Sequence, residues 1–534
     1  MAALRVLIVD ENALARSVMA GMLRSFGVQS ITQAHRPEDA RKRLKATAIP
    51  FDLIICDFHF SPRGSTVVTG QDLLDELRQS RGLPMRTSFI MVTDEARYHC
   101  VADSVEGALD DYLLKPLTSR LFEERLTRVL IRKRALREVF VRIEEECYAE
   151  AADQCEILFA QKSPHLLYAA RIGTELYLRL KDYASAERMF KAILELKAIP
   201  WARLGIAKVE LETDGPAVAR RTLESLLSEN PAYADAYDVL GRAQLEEANL
   251  EGALATFLQA VSLTPGNISR LQKAGALALT LGDSAAAKKH LETATSLGIG
   301  SRSFDYQSLF LLALANYDEG VPRGWERSKN ALQAALEAYP ESFRLKTLGL
   351  FLNALELLEK SKMADLVGTV KQLCNEVRRP EFDFEMATNL LNVLGRVLEK
   401  EVKLDYSPEW AKAVSERFSV SRTSSRLLEL AALKSERLRE EVLKTANEVN
   451  ERSRSAMAHV VTKEHTRSLD EMMKLSEQTL NARVFALTRG LAERHRERLD
   501  PVAVEQATAR LEELTQTFAS YGTHARTEVR MRSA

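Results

Sequence analysis

Up to about residue 120 the apolar residues fall in short unbroken runs: LRVLIV (4–9), VQSITQA (28–34), DLIICD (52–57), SFIMVT (88–93) and DYLL (111–114). Between them lie segments such as ALARSVMAGMLRSF, whose apolar positions recur every three to four residues. Short runs apolar on both faces are the mark of parallel strands, and amphipathic segments between them are crossover helices. The pattern predicts an α/β doubly wound parallel sheet built from right-handed βαβ units. After Leu117 no strand pattern returns. A helix opening at Thr118 or Ser119 reads on without a breaker through RVLIRKRALREVFVRIEEECYAEAADQCEILFAQ, and Ser163-Pro164 is the first stop.

From Leu166 the chain repeats itself. Shifting YDVLGRAQLEEANLEGALATFLQAVSLTP (237–265) by 34 residues, from 241 to 275, lays Gly241 on Gly275, Ala253 on Ala287, Phe257 on Leu291 and Ala260 on Ala294. An earlier copy carries Trp201, Leu204 and Gly205, with two extra residues near Asp214-Gly215-Pro216. A still earlier one carries Tyr177, Tyr183, Ala186 and Phe190. Small residues recur where two helices cross closely, and large ones fill the space beside them. This resembles the tetratricopeptide repeat, a helical hairpin that stacks into an all-α solenoid. Degenerate copies extend through NALQAALEAYP (330–340) to about residue 376. A carboxylate-binding clamp needs Lys and Asn at inward positions of first helices. The copy at 237 offers Asp235, Asp238 and Arg242 instead, so no clamp is expected.

The remaining chain is helical without that period. No Gly or Pro occurs from 421 to 489, and Leu438, Val442, Ala446, Val449, Ala456 and Val460 form a narrow stripe. That combination predicts a long helix packed on one side, which self-associates as a homodimer or docks on the repeats. Asp500-Pro501 opens another helix and Gly522 ends it.

Composition narrows the function. A chain of 534 residues exceeds one core. Its 74 basic and 75 acidic residues nearly cancel, so no overall charge points to nucleic acid or an anionic membrane. The basic stretch RKRALR (132–137) is followed by Glu138 and Glu144 to Glu146, and reads as a solvated helix face. Cys56, Cys100, Cys147, Cys155 and Cys374 lack metal or disulfide spacing, as expected of free thiols in a reducing cytoplasm, with Cys147 and Cys155 read as a buried pair. The apolar run in MAALRVLIVDENA is closed by acids and is not a signal peptide. SLFLLALANY (308–317) falls far short of the ~20 residues of a membrane span, so no membrane insertion is expected.

The candidate chemistry sits at the strand ends. Strand one closes on Asp10-Glu11, strand three on Asp57, strand four on Thr93, and strand five runs Tyr112-Leu113-Leu114-Lys115-Pro116. A doubly wound sheet puts all of these on one edge. Three uncompensated carboxylates repel, and a hard divalent cation, Mg²⁺, removes the conflict. Asp57 is then a competent oxygen nucleophile toward phosphorus, since phosphoryl transfer asks mainly for charge neutralisation.

Over residues 4 to about 128 this set resembles the receiver domain of two-component response regulators. The resemblance implies that Asp57 is the phosphoacceptor. It implies that Mg²⁺ lies on Asp10, Glu11, Asp57 and the backbone carbonyl of His59. Thr93 would bond the phosphoryl group, Lys115 would stand opposite the metal, Tyr112 would be the switch aromatic, and Lys115-Pro116 would be cis. Two departures stand out. Glu11 is one methylene longer than the commoner aspartate, and FHFSPRGSTVVTGQDLL is several residues longer than usual. The His59 side chain, two residues beyond Asp57, reads as a modulator of phosphoryl lifetime.

The predicted layout is a receiver (1–128), a linker helix continuing the last receiver helix (129–163), tetratricopeptide-like repeats (164–376) and a helical C-terminal region (377–534). No helix-turn-helix, Gly-rich nucleotide loop or His/Asp metal motif follows residue 130. The expected function is a bacterial response regulator in a phosphorelay, a cytoplasmic scaffold or adaptor and not an enzyme. Its partners would be a histidine kinase or phosphotransfer protein and a further protein on the repeats, with no nucleic acid. The alternatives are a transcriptional or RNA-binding regulator reading through the tail, against which the tail's mixed charge argues, and an enzyme under receiver control.

Overall fold

The computed structural model describes residues 3–47, 49–61, 69–70, 73–74, 77, 83–94, 110–299 and 304–518. Five parallel strands, β1 (Arg5–Val9), β2 (Ser30–Ala34), β3 (Leu53–Asp57), β4 (Ser88–Thr93) and β5 (Asp111–Leu114), form one sheet in the order β2-β1-β3-β4-β5. This is the flavodoxin-like form of the predicted fold. On one face Val6, Ile8, Leu53, Ile55, Ile90 and Val92 pack with α1 (Ala13–Ser25) and, through Phe122, Leu126 and Val129, with a later helix at 119–135. On the other face Leu7, Val9, Ile54, Cys56, Phe89 and Met91 pack with Leu73, Leu74, Leu77 and Ala40 of α2 (Pro37–Ala46). Burial on both faces is why the strand sequences do not alternate. α1 starts where the Asn12 side chain accepts the amides of Leu14 and Ala15.

The single helix expected from 119 to 163 is replaced by three: α3 (Ser119–Ala135), α4 (Arg137–Glu144) and α5 (Tyr148–Ala160). No Gly or Pro causes the first break. Val129 of α3 belongs to the sheet's core, whereas Leu136 is buried with Val139, Phe140, Ala151, Ala152, Cys155 and Ala169 in a second core. Serving two cores bends the axis between them. At the second break Glu146 takes a left-handed conformation, φ 63°. α5 packs on α6 (Leu166–Leu180) as part of the helical array, so residues 148–160 are not a spacer and the predicted 129–163 linker helix does not exist. Of the expected thiol pair, Cys155 is buried and Cys147 only half-buried.

The array continues through α7 (Tyr183–Leu196), α8 (Pro200–Thr213), α9 (Pro216–Glu229), α10 (Ala234–Glu246), α11 (Leu250–Leu263), α12 (Ile268–Thr280) and α13 (Ser284–Gly298). The repeat glycines mark close crossings. A Cβ on Gly205 would come within 2.1 Å of the Phe190 ring, one on Gly241 within 2.4 Å of the Phe257 ring, and one on Gly275 within 2.7 Å of Leu291. The two extra residues fall in the turn where Gly215, φ 96°, leads into Pro216 at the start of α9. Asp235 and Asp238 accept from the buried Arg270 guanidinium at 2.6 and 2.7 Å, and Arg242 pairs with Glu212.

By backbone proximity the chain divides into two compact units, Met1–Gln244 with Ala255–Leu271 and Ser296–Phe304, and Leu245–Leu254 with Gln272–Thr295 and Asp305–Ala534. The second unit continues with α14 (Gln307–Asp318), α15 (Glu326–Ala338), α16 (Phe343–Glu359), α17 (Met363–Asn375) and α18 (Phe384–Glu399). Then come α19 (Ser407–Phe418), α20 (Arg422–Ala431), α21 (Glu436–Ala458), α22 (His465–Thr479), α23 (Ala482–Arg494) and α24 (Pro501–Phe518). The Gly- and Pro-free stretch from 421 to 489 is thus broken into four helices. Lys463 (φ 66°) precedes α22, and Leu480 (φ 52°) ends it with Asn481 capping α23. The stripe itself is real. Leu438, Val442, Ala446, Val449 and Ala456 are buried and Val460 partly so, with α19 and α22 packed on α21. Buried Arg417 ties the tail down by donating to the carbonyls of Val377 (2.6 Å), Arg379 (2.8 Å) and Pro380 (3.2 Å). Gly522 and Cys100 lie outside the described residues.

Candidate phosphoryl-acceptor site

In this strand order the chain's crossovers change direction between β1 and β3, which opens a crevice at their carboxyl ends. Asp10 follows β1 and Asp57 ends β3, so both stand at that crevice. Lys115, just after β5, reaches across it. Its Nζ donates to Asp10 Oδ2 at 2.9 Å and to Asp57 Oδ2 at 3.0 Å. The remaining oxygens are aimed by backbone: the Asn12 amide donates to Asp10 Oδ1 (2.7 Å) and the Phe58 amide to Asp57 Oδ1 (2.9 Å). Thr93 ends β4 buried, and its carbonyl accepts the Lys115 amide at 2.7 Å. Tyr112 is half-buried on β5 beside the α2-side core. The Lys115-Pro116 bond is cis, as the resemblance implied. Behind the acceptor, Gly70 allows a close approach that no other residue would, since a Cβ there would lie 2.3 Å from the Asp57 carbonyl oxygen.

Two carboxylates share one ammonium. Burial pushes the Asp57 carboxyl up, Asp10 adds to this, and the bond from Lys115 offsets only part of it. For Lys115 burial acts downward, but its bonds to Asp10 and Asp57 win and hold it above the usual lysine range. The crevice therefore carries surplus negative charge in a partly dehydrated place, the donor chemistry that suits a hard divalent cation. Asp10 and Asp57 fit that role.

Glu11 does not join them. Its Oε2 accepts from the Ser61 amide at 3.0 Å and the Ser61 hydroxyl at 2.6 Å, and its Oε1 lies 2.7 Å from the Arg36 guanidinium. Burial alone would raise its carboxyl, yet Ser61 and Arg36 together lower it. Among the described residues no three His, Cys, Asp or Glu side chains stand together as a metal cluster. The predicted three-acid set is thus two acids in place and one turned aside. His59 presents its backbone opposite Thr69 in an isolated antiparallel bridge, and its ring stands edge-on to Phe58 at 4.7 Å.

Sequence reasoning missed four neighbours of the site. The Arg16 guanidinium donates to the carbonyls of Asp10 (2.6 Å) and Glu11 (3.1 Å), pinning the turn that carries both acids. Arg36 and Ser61 reach Glu11 only because β2 and β3 flank β1, and nothing local in the sequence signals that. Cys56, one residue before Asp57, has its thiol pushed far up by burial and then by Asp57 and Asp10, which keeps it unreactive.

Residues 6–127 match the response regulator receiver domain, and residues 204–268 match the tetratricopeptide repeat. The first domain is a response-regulator receiver. The receiver is similar to chemotaxis protein CheY of Pseudomonas aeruginosa, 25% identical over 129 residues, which are 24% of this chain and 98% of that protein. It is also similar to transcriptional regulatory protein DcuR of Escherichia coli, 28% identical over 134 residues, 25% of this chain and 53% of that protein. Among solved structures, a response regulator receiver protein from Pseudomonas putida is 28% identical, covers 24% of this chain and 99% of its own, and gives a TM-score of 0.21. These three relatives match the receiver alone, and the tetratricopeptide region follows it as a separate likeness. No helix among the described residues is long and apolar enough to cross a membrane.

Proposed function

We propose that this chain is a response regulator that accepts a phosphoryl group on Asp57 and answers through protein contacts of its helical array, as a scaffold or adaptor and not an enzyme. The observation that carries the reading is the pairing of Asp57 and Asp10 on the single amine of Lys115 at the sheet's crevice. The donor is a phosphohistidine of a kinase or phosphotransfer protein. An Asp57 oxygen bonds to phosphorus as the donor's P–N bond breaks, and the imidazole leaves with the electron pair. A bound Mg²⁺ would supply charge neutralisation there, held by Asp10 and Asp57. Lys115, released from Asp57, pairs with the new phosphoryl oxygens, and the Thr93 hydroxyl donates to them.

The response reaches the array by direct packing. Met85, from the sheet's amino edge, packs on the core that Leu136 opens. Arg86 pairs with Glu144 of α4 at 3.9 Å, and the Arg132 guanidinium lies 4.3 Å from the centroid of the Tyr168 ring on α6.

Acetyl phosphate with Mg²⁺ should add one acid-labile phosphoryl group, read by intact mass, and Asp57→Asn should abolish it. Labelling that survives in that variant, or that needs no divalent ion, overturns the assignment. A pull-down with the wild type and Asp57→Ala, with and without phosphodonor, then tests whether the array's partners change.

A further inference from the structure

The two departures from the receiver pattern, the longer acid at position 11 and the longer segment after Asp57, meet in space. Glu11 Oε2 takes both the amide and the hydroxyl of Ser61, four residues past Asp57. Oε1 faces Arg36, whose other contact through the same nitrogen is the Ser61 carbonyl. One carboxylate and one guanidinium therefore tie together the turns that follow β1, β2 and β3. The pair is well shielded, with the Arg36 and Glu11 side chains 16% and 22% exposed, so it is stronger than an open surface pair. The Glu11 carbonyl accepts from Arg16 at 3.1 Å, which anchors its backbone and leaves the side chain as the part that can turn.

We propose that Glu11, Arg36 and Ser61 form a strap that competes with the divalent cation: Glu11 serves the strap or the metal, never both. The inference rests on the reading of Asp10 and Asp57 as cation ligands. A hard cation favours several oxygen ligands, so full binding draws Glu11 away from Arg36 and releases Ser61. The strapped state lowers the apparent metal affinity by the fraction of molecules it withholds, and by reciprocity metal lowers the strap's population. Arg36 and Ser61 are thus positioning residues that set how readily the receiver loads.

The test is Mg²⁺ titration by calorimetry on the full chain, with deuterium uptake at the Ser61 amide as a second readout. Arg36→Gln, Arg36→Lys and Ser61→Ala should each bind Mg²⁺ about 3–10-fold more tightly than the wild type. Ser61→Ala and Arg36→Lys leave the charge unchanged, so a gain confined to Arg36→Gln would be simple charge removal and would overturn the strap. In the wild type, saturating Mg²⁺ should speed exchange at Ser61, and unchanged protection would overturn it as well. Equal, measurable affinities in all proteins sink the strap and leave the acceptor site standing. No binding in any of them sinks both. Thermal melts confirm that the variants compared are folded, and the exchange experiment, run on the wild type, does not depend on them.

Discussion

At the carboxyl edge of the receiver sheet Asp10 and Asp57 share the amine of Lys115, whereas at the amino edge Asp110 faces two cations. Asp110, 6% exposed, lies 3.0 Å from Lys133 and 3.9 Å from Arg132, and its Oδ2 accepts the Phe89 amide at 2.9 Å. Lys133 also donates to the Met85 carbonyl at 2.6 Å and sits 4.4 Å from the centroid of the Phe140 ring. The same chemical groups are buried in both places in opposite proportion. Surplus cation at the amino edge is taken up by the neutral carbonyls of Met85 and Asp110, and the cluster fastens the end of α3 to α4. At the carboxyl edge the Asn12 and Phe58 amides take one oxygen of each carboxylate, yet the other two oxygens share the one amine of Lys115, a surplus of negative charge that suits a hard divalent cation.

Three changes probe this contrast. The largest effect belongs to Asp110→Ala, which leaves Lys133 buried without its carboxylate and should cost about 3–5 kcal/mol. Urea unfolding of the full chain measures it, and a loss below about 1 kcal/mol would show that the amino edge does not hold the domain. Next is Lys115→Met in metal-free protein, where Asp10 and Asp57 face each other unrelieved at a loss of about 1–3 kcal/mol near neutral pH. The Asp57 carboxyl is already held above its ordinary value by burial and Asp10, and losing Lys115 raises it further. The native state then keeps a proton that the unfolded chain has released, so stability falls as pH rises from about 4 upward. The variant's melting temperature should therefore recover on acidification from pH 7 to 5 by more than the wild type's, and the opposite slope would refute the charge surplus. Smallest is Asp57→Asn, which removes one of two repelling carboxylates and should stabilise the metal-free chain by less than about 1 kcal/mol. Saturating Mg²⁺ should reverse that ranking, because only the wild type keeps both carboxylates to bind it.

The strands and the site were legible for a common reason. Burial on two faces forces unbroken apolar runs, and each run's last residue then marks the one edge where chemistry collects. Asp10, Asp57, Thr93 and Lys115 were found by that rule alone. Glu11 was placed at the right edge, but its contacts with Arg36 and Ser61 were not legible, because those two are 25 residues apart and become neighbours only through the strand order. The repeats were legible because a missing Cβ at Gly205, Gly241 and Gly275 is written directly in the sequence.

Helix ends divide what the chain determined by itself from what tertiary structure decided. Local chemistry marked the starts at Asn12, Pro216 and Pro501, since a capping side chain or a proline acts on its own backbone within one turn. The stops at Ala135, before Lys463 and at Leu480 carry no such mark. Propensity there favours continuing the helix by only a fraction of about 1 kcal/mol per residue, whereas burying one large apolar side chain is worth about 1.5–3 kcal/mol. Leu136 in the second core, and the Leu438–Ala456 stripe under α19 and α22, outweigh the local preference. Periodicity and strand-end chemistry belong to the sequence; which core claims a side chain, and so where the helix must turn, belongs to the fold.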